Sequence, residues 1–301
     1  MESLKTILYF SIFRYPLKIE EIYGYTNHFE INETLKELAY LIEEKIISKT
    51  DEFYVYADDS ESIKKRLKGN LQANNAIIRA KEQAKLISKF PYVEAVGVSG
   101  SLSKGYYDNE SDIDFFLITT PNKLWICRTL LILYKKIFLF NSRKHFCVNY
   151  FISANQLEIE EKNLFTAIEL KTLIPMEGRT TFKTFYQNNT WVVNDYFSKF
   201  SYDVKSVNEI KKPIISKVIE LILNTNIGNI FDDLFKLITI RKWKAKFNFM
   251  NEEDFKLALK STKNISKHHP LHFQKKVILS LNSKLDEVQL NYNIVVTKEH
   301  V

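Results

Sequence analysis

An α+β protein is what the sequence predicts: a small mixed β-sheet flanked by helices, with a helix-and-hairpin module before it and a helical region after it. Three observations carry this prediction. Residues 93–99 form a nearly continuous apolar run, the pattern of a buried strand. Further strand-like segments at 112–119 and 146–152 alternate with helical segments at 124–140 and 164–173. From Val207 onward the helical period dominates, with apolar runs at 214–223 and 230–240.

The elements follow in order. Residues 3–14 predict a short helix with Leu4, Ile7, Leu8 and Phe10 on its apolar face, closed by Pro16. A second helix covers 19–25. Asn32 is placed to cap a third over 33–45, whose face is Leu35, Leu38, Ala39, Leu41 and Ile42. Two short strands, 46–49 and 53–56, flank the turn Thr50-Asp51-Glu52. Three helices and a hairpin is the order of a winged helix, so residues 1–59 are assigned to a winged-helix-like module. Ser60 is placed to cap a connecting basic helix over 60–90, with sparse apolar positions Ile63, Leu67, Leu71, Ile78 and Ile87. The strand-rich domain takes 91–200 and closes on a helix over 182–197. The helical C-terminal domain takes 201–301, where Pro270 precedes a helix at 273–285. The tail after Leu290 either frays or packs as a short strand.

Composition narrows the function classes. Hydrophobic residues make up 45% and aromatics 14%, which opposes extended disorder. The apolar stretch 124–140 contains Arg128, Lys135 and Lys136, which opposes a membrane span, and residues 1–13 lack the pattern of a secretory signal. Cys127 and Cys147 show no disulfide or metal spacing, the usage of reduced thiols in a cytoplasmic protein. Charge is uneven. Residues 1–60 hold six Lys/Arg against twelve Asp/Glu, residues 61–90 eight against two, and residues 201–301 seventeen against eleven. A polyanionic partner therefore suits the connecting helix and the C-terminal part, not the N-terminal module.

The chemistry concentrates in residues 96–115. A buried strand ends at Gly100, where the backbone can approach a ligand closely. Ser99, Gly100 and Ser101 then open a turn whose N–H groups and hydroxyls suit phosphate oxygens. A spacer over 102–111, ending in Ser111, leads to a strand that begins Asp112-Ile113-Asp114. Alternation puts both carboxylates on one face, with Cα atoms roughly 6.6 Å apart, within reach of the two ions of a two-metal site. Two like charges on a largely apolar strand are costly unless a cation compensates them, and oxygen-only ligands favour Mg²⁺, or Mn²⁺ in its place. The plainer alternative is a surface loop and a strand whose first residues reach solvent.

Ser99-Gly100-Ser101 followed by Ser111-Asp112-Ile113-Asp114 resembles the motif of the DNA polymerase β-like nucleotidyltransferase superfamily. The whole chain is also similar to bacterial proteins that carry a winged helix before such a domain. The resemblance covers about residues 88–155. It implies a nucleotidyltransferase fold, a glycine-serine turn that holds the triphosphate, metal ions on Asp112 and Asp114, and a third acid on a later strand. It further implies transfer of a nucleoside monophosphate from an NTP to an acceptor: a protein, an RNA or a small molecule. The third-acid position falls on Asn149, which can offer an amide oxygen but cannot accept a proton as a carboxylate does. Either another base serves, or the site is a nucleotide-binding regulator without turnover, or Asn149 satisfies backbone groups.

Other residues invite weighing. Lys104 either meets a phosphate or is solvated. Arg241, Lys242, Lys244 and Lys246 around Trp243 suit nucleic acid or, as the sequence favours, a solvated helix face with Trp243 inward. His268, His269 and His272 lack zinc-ligand company and predict an exposed loop that could still approach the site. The acidic N-terminal module predicts a protein partner or a structural role rather than DNA contact.

Overall fold

The computed structural model describes residues 1–56 and 59–300. Helices α1 (Glu2–Ser11), α2 (Ile19–Gly24) and α3 (Ile31–Glu43) precede an antiparallel hairpin of β1 (Ile47–Thr50) and β2 (Phe53–Tyr56). Asp51 supplies the left-handed residue of the hairpin turn, φ +53°, which Asp tolerates better than most side chains. Two expected boundaries shift. Helix α3 begins at Ile31 after Glu30, so Asn32 lies inside its first turn, and α1 stops at Ser11 ahead of Pro16.

Helix α4 (Ser60–Ile87) is capped by Asp59, whose carboxylate accepts from the Ser62 N–H at 3.1 Å, where the sequence predicted a Ser60 cap. Its buried face is also not the expected one. Ala73, Ala76, Ala80 and Ala84 are at most 5% exposed, while Leu67, Leu71 and Ile78 are 51–69% exposed. Helix α4 lies against the sheet closely enough that methyl groups fill the contact and larger side chains are turned out.

The sheet is built from β3 (Val93–Ser99), β4 (Asp114–Thr119), β5 (Cys147–Ser153), β6 (Ile174–Glu177) and β7 (Ile265–Lys267), in the order β6-β3-β4-β5-β7. Strands β4 and β5 run parallel and the other pairs antiparallel, so the sheet is mixed. The intervening helices are α5 (Gly100–Ser103), α6 (Leu124–Phe138), α7 (Leu164–Thr172) and α8 (Arg179–Asn188). The chain continues with α9 (Ile214–Leu223), α10 (Asn226–Lys246), α11 (Glu252–Ala258) and α12 (Phe273–Tyr292). Strand alternation divides the core. Val98, Phe115 and Leu117 face α6 and the alanines of α4, whereas Phe116, Ile118 and Ile152 face a cluster that includes α1, α7, α8 and α12.

The C-terminal part differs from the prediction of helices alone, because β7 pairs with β5 at the sheet edge. The helix predicted over 182–197 ends at Asn188, with a π-helical turn at Val192–Tyr196 beyond it. The tail after Asn293 neither frays nor forms a strand. Glu299 pairs with Lys5 at 2.6 Å and accepts from the Leu164 N–H at 3.0 Å, and Ile294 is buried. Among the described residues no single helix is long and apolar enough to cross a membrane; α9 and α10 meet that measure only jointly, across a 94° bend.

Candidate functional site

The site forms where β3 ends and β4 begins. The register sets Ser99 opposite Asp114, so the Gly100 turn lies directly against the first residue of β4. Gly100 has φ +72°, and a Cβ there would lie 2.7 Å from Asp114 Oδ2. Glycine is thus required for conformation and for closeness at one position. Ile113 is fully buried, and its sequence neighbours Asp112 and Asp114 are both partly exposed, an alternation of burial that the sequence predicts. The correction is one of extent: β4 starts at Asp114, and Asp112 belongs to the loop before it.

Asn149 joins this cluster through a bulge. Phe115 pairs with Val148 and Phe116 with Tyr150, so Asn149 is the extra residue in β5. Its Nδ2 donates to Asp114 Oδ1 at 3.0 Å, and its carbonyl accepts from the His268 N–H at 2.9 Å. Cys147 lies opposite Asp114 in the β4–β5 register. Burial lifts the Asp114 carboxyl to about 6; Cys147 and Asn149 pull it down, and the charges of Asp112 and Glu169 push it up.

Glu169 on α7 is the residue that the sequence reading missed. Its Oε1 accepts from Lys104 Nζ at 2.7 Å, and its Oε2 faces the Gly100 N–H at 3.4 Å. Asn163 caps α7 by accepting from the Thr166 N–H at 3.1 Å, which fixes the turn that carries Glu169 two turns on. The sequence does hold a clue: Glu169 is the one charged residue in 164–170, a stretch that is apolar but for it and Thr166. Lys104, expected at a phosphate or in solvent, is held by Glu169 and by the Gly100 carbonyl at 3.1 Å.

The remaining site residues divide. Ser99 and Ser101 flank Gly100 and are partly exposed, and the Ser101 carbonyl accepts from the Lys104 and Tyr106 N–H groups. Ser111 is engaged within the loop: its hydroxyl donates to Asp108 Oδ1 at 2.7 Å and its N–H to the same oxygen at 2.9 Å. Partial burial would raise the Asp108 carboxyl; bonds from Ser111 and Tyr106 outweigh this and lower it. Ser111 therefore shapes the approach to Asp112.

The histidines do not form an exposed loop. His268 packs on Trp243, ring centroids 4.9 Å apart, and His269 meets Tyr150 edge-on. Burial lowers His268 to about 3 and His269 to about 4, so both are neutral at ordinary pH. Trp243 is buried, and Arg241, Lys242, Lys244 and Lys246 face solvent. Among the described residues no group of three or more His, Cys, Asp or Glu side chains converges as a metal cage. Asp112 and Asp114 instead offer a carboxylate pair, beside an amide and the Lys104-bound Glu169. Mg²⁺ commonly takes one or two protein carboxylates and completes its shell with phosphate and water, so the donor chemistry fits it. The chain matches no family model, no curated protein and no solved structure.

Proposed function

We propose that the chain is a metal-dependent nucleotidyltransferase of the polymerase β type, transferring a nucleoside monophosphate from an NTP to an acceptor. The observation that carries this reading is the Asp114 carboxylate, set against the Gly100 turn with Asp112 and Glu169 alongside. A carboxylate lifted to about 6 at a partly buried strand start, beside the charges of Asp112 and Glu169, is stabilised by a cation. The abutting turn brings backbone N–H groups and Lys104 to where phosphates of a metal-bound NTP would lie. Bound at Asp112 and Asp114, Mg²⁺ or Mn²⁺ would supply charge stabilisation at the transferred phosphoryl group.

The protein's own residues have distinct roles in this reading. Asp112 and Asp114 hold the cation. The Gly100-Ser101 turn and Lys104 hold phosphate oxygens, displacing Glu169 from the Lys104 ammonium and the Gly100 N–H. Glu169, once released, is the carboxylate that accepts the acceptor hydroxyl's proton, the task Asn149 cannot perform. Asn149 orients Asp114 through its amide. The acceptor is a protein side chain, an RNA end or a small molecule, met by the basic C-terminal helices. The N-terminal module is read as a winged helix that serves a protein partner, since Phe29 is 91% exposed and the module's charge repels phosphate.

A second reading has its own observation. The Asn149 amide already donates to Asp114 and the Lys104 ammonium already pairs with Glu169, the arrangement of a nucleotide-binding regulator without turnover. Incubating the pure protein with each labelled NTP and Mg²⁺ or Mn²⁺ tests both. Pyrophosphate release or self-labelling, lost in Asp114→Asn and in Glu169→Gln, is the expected result. Metal-dependent binding without pyrophosphate would transfer support to the regulator. No binding of any NTP would overturn both readings.

A further inference from the structure

Two buried cations on α6 stand without a counter-charge. Arg128 is 9% exposed and Lys135 is 8% exposed. They lie two helical turns apart, so both occupy one face of α6. Among the described residues neither side chain makes a hydrogen bond or an ion pair. Burial alone lowers Arg128, to about 10. Burial also lowers Lys135, and the charges of Arg143 and Arg128 add to it, against Cys147 and Asp112. Other buried cations of the chain are satisfied. Arg66, 4% exposed, takes both oxygens of Glu21 at 2.7 and 2.8 Å, and Lys267 donates to Gln274 at 2.8 Å.

The two cations adjoin the carboxylate pair. The Arg128 guanidinium lies over the Trp243 ring at 4.8 Å, and the Trp243 and His268 ring centroids are 4.9 Å apart. The His268 N–H donates to the carbonyl of Asn149, whose amide holds Asp114. Lys135 approaches from the C-terminal end of α6, where it feels Asp112 and Cys147, the residue opposite Asp114. Arg143, exposed in the loop after α6, and Lys246, exposed at the end of α10, border the same place: burial lowers His268, and the charges of Arg128, Arg143 and Lys246 lower it further. Lys104 and Glu169 stand on the other side of the sheet, with α7. The basic wall on α6 is therefore separate from the turn to which the NTP phosphates are assigned.

A buried charge left unpaired is strongly destabilising, and an apolar side chain of similar volume would serve stability better. Two such cations that repel one another fit an anion that arrives with a ligand. A guanidinium fork and an ammonium suit the oxygens of a phosphate group, and the Trp125 and Trp243 rings beside Arg128 keep water away from one side of it.

We infer that Arg128 and Lys135, with Arg143 at the entrance, form a phosphate site beside the carboxylate pair, which receives the phosphate group of a phosphorylated ligand other than the NTP. Identifying that ligand as the acceptor rests on the nucleotidyl-transfer reading; the site itself does not. Thermal melts of the full chain with inorganic phosphate, without nucleotide or divalent metal, test it against chloride at matched ionic strength. The wild type should show a saturable rise in melting temperature of a few degrees as phosphate reaches about 20 mM. Arg128→Met removes the unpaired charge and keeps much of the volume. It should melt higher than the wild type without phosphate and lose the phosphate-dependent rise. Lys135→Met should behave in the same way, and decides the matter if Arg128→Met does not fold. Lys104→Met should keep the rise. A wild type that phosphate stabilises no more than chloride does would overturn the inference. A rise of undiminished size in a folded α6 variant would overturn it too, as the general effect of an excluded salt. So would a rise lost in Lys104→Met and kept in the α6 variants, which would put the phosphate at the Gly100 turn.

Discussion

At the scale of single residues, Asn149 and Glu169 decide how the site is read. Asp112, Asp114 and Gly100 were legible in the sequence because a glycine turn, a spacer and alternating acids are local features. Asn149 was legible as a departure from the third-acid pattern, though its route to Asp114 depends on a bulge that no local pattern announces. Glu169 was not legible: it reaches Gly100 from a helix sixty-nine residues away in sequence, and only packing brings the two together. Replacing Asn149 by Asp turns a donor 3.0 Å from Asp114 Oδ1 into a repelling carboxylate. Without divalent metal the variant should lose roughly 1–3 kcal/mol of stability. Mg²⁺ should restore much of it, by thermal melts with and without the ion. A loss that Mg²⁺ leaves untouched would make Asn149 a purely structural residue.

At the scale of elements, periodicity found the helices and central strands and missed what depends on neighbours. Strands β6 and β7 are short edge segments of four and three residues, too brief for a period to emerge. The buried face of α4 was misjudged because hydrophobicity favoured Leu67, Leu71 and Ile78, while close approach to the sheet selected alanines. The junction of α10 with α6 gives an element-level prediction. Burial raises Asp232 to about 6, against the bonds from Ile126 and Trp125, and its Oδ2 has no partner. A carboxyl whose folded pKa is raised holds its proton more tightly when folded, so its contribution favours folding at low pH and is lost as pH rises from about 4 through 6. Asp232→Asn keeps an acceptor for the two N–H groups and removes that titration. The variant's stability relative to wild type should therefore rise between pH 4 and pH 7, by up to about 3 kcal/mol. Urea denaturation at the two pH values measures it; a pH-independent difference would show that Asp232 does not titrate in this window.

At the scale of the whole molecule, one mixed sheet ties the chain together, because β7 returns to pair with β5 and Glu299 reaches back to Lys5 and the start of α7. The site therefore lies on the sheet face that α1, α7 and α12 also cover, with N-terminal and C-terminal segments both packed nearby. The sequence expectation of separate modules said nothing of this, since the contacts join residues distant in the chain. In the proposed function Asp112 and Asp114 form a cation-dependent NTP site. Its most direct test is calorimetric titration of a non-hydrolysable NTP analogue into wild type and into Asp112→Asn with Asp114→Asn, each with Mg²⁺ and with EDTA. The wild type should bind with Mg²⁺, and binding should weaken about tenfold or more both with EDTA and in the double variant, which should stay folded. Equal affinity in the folded double variant would contradict it.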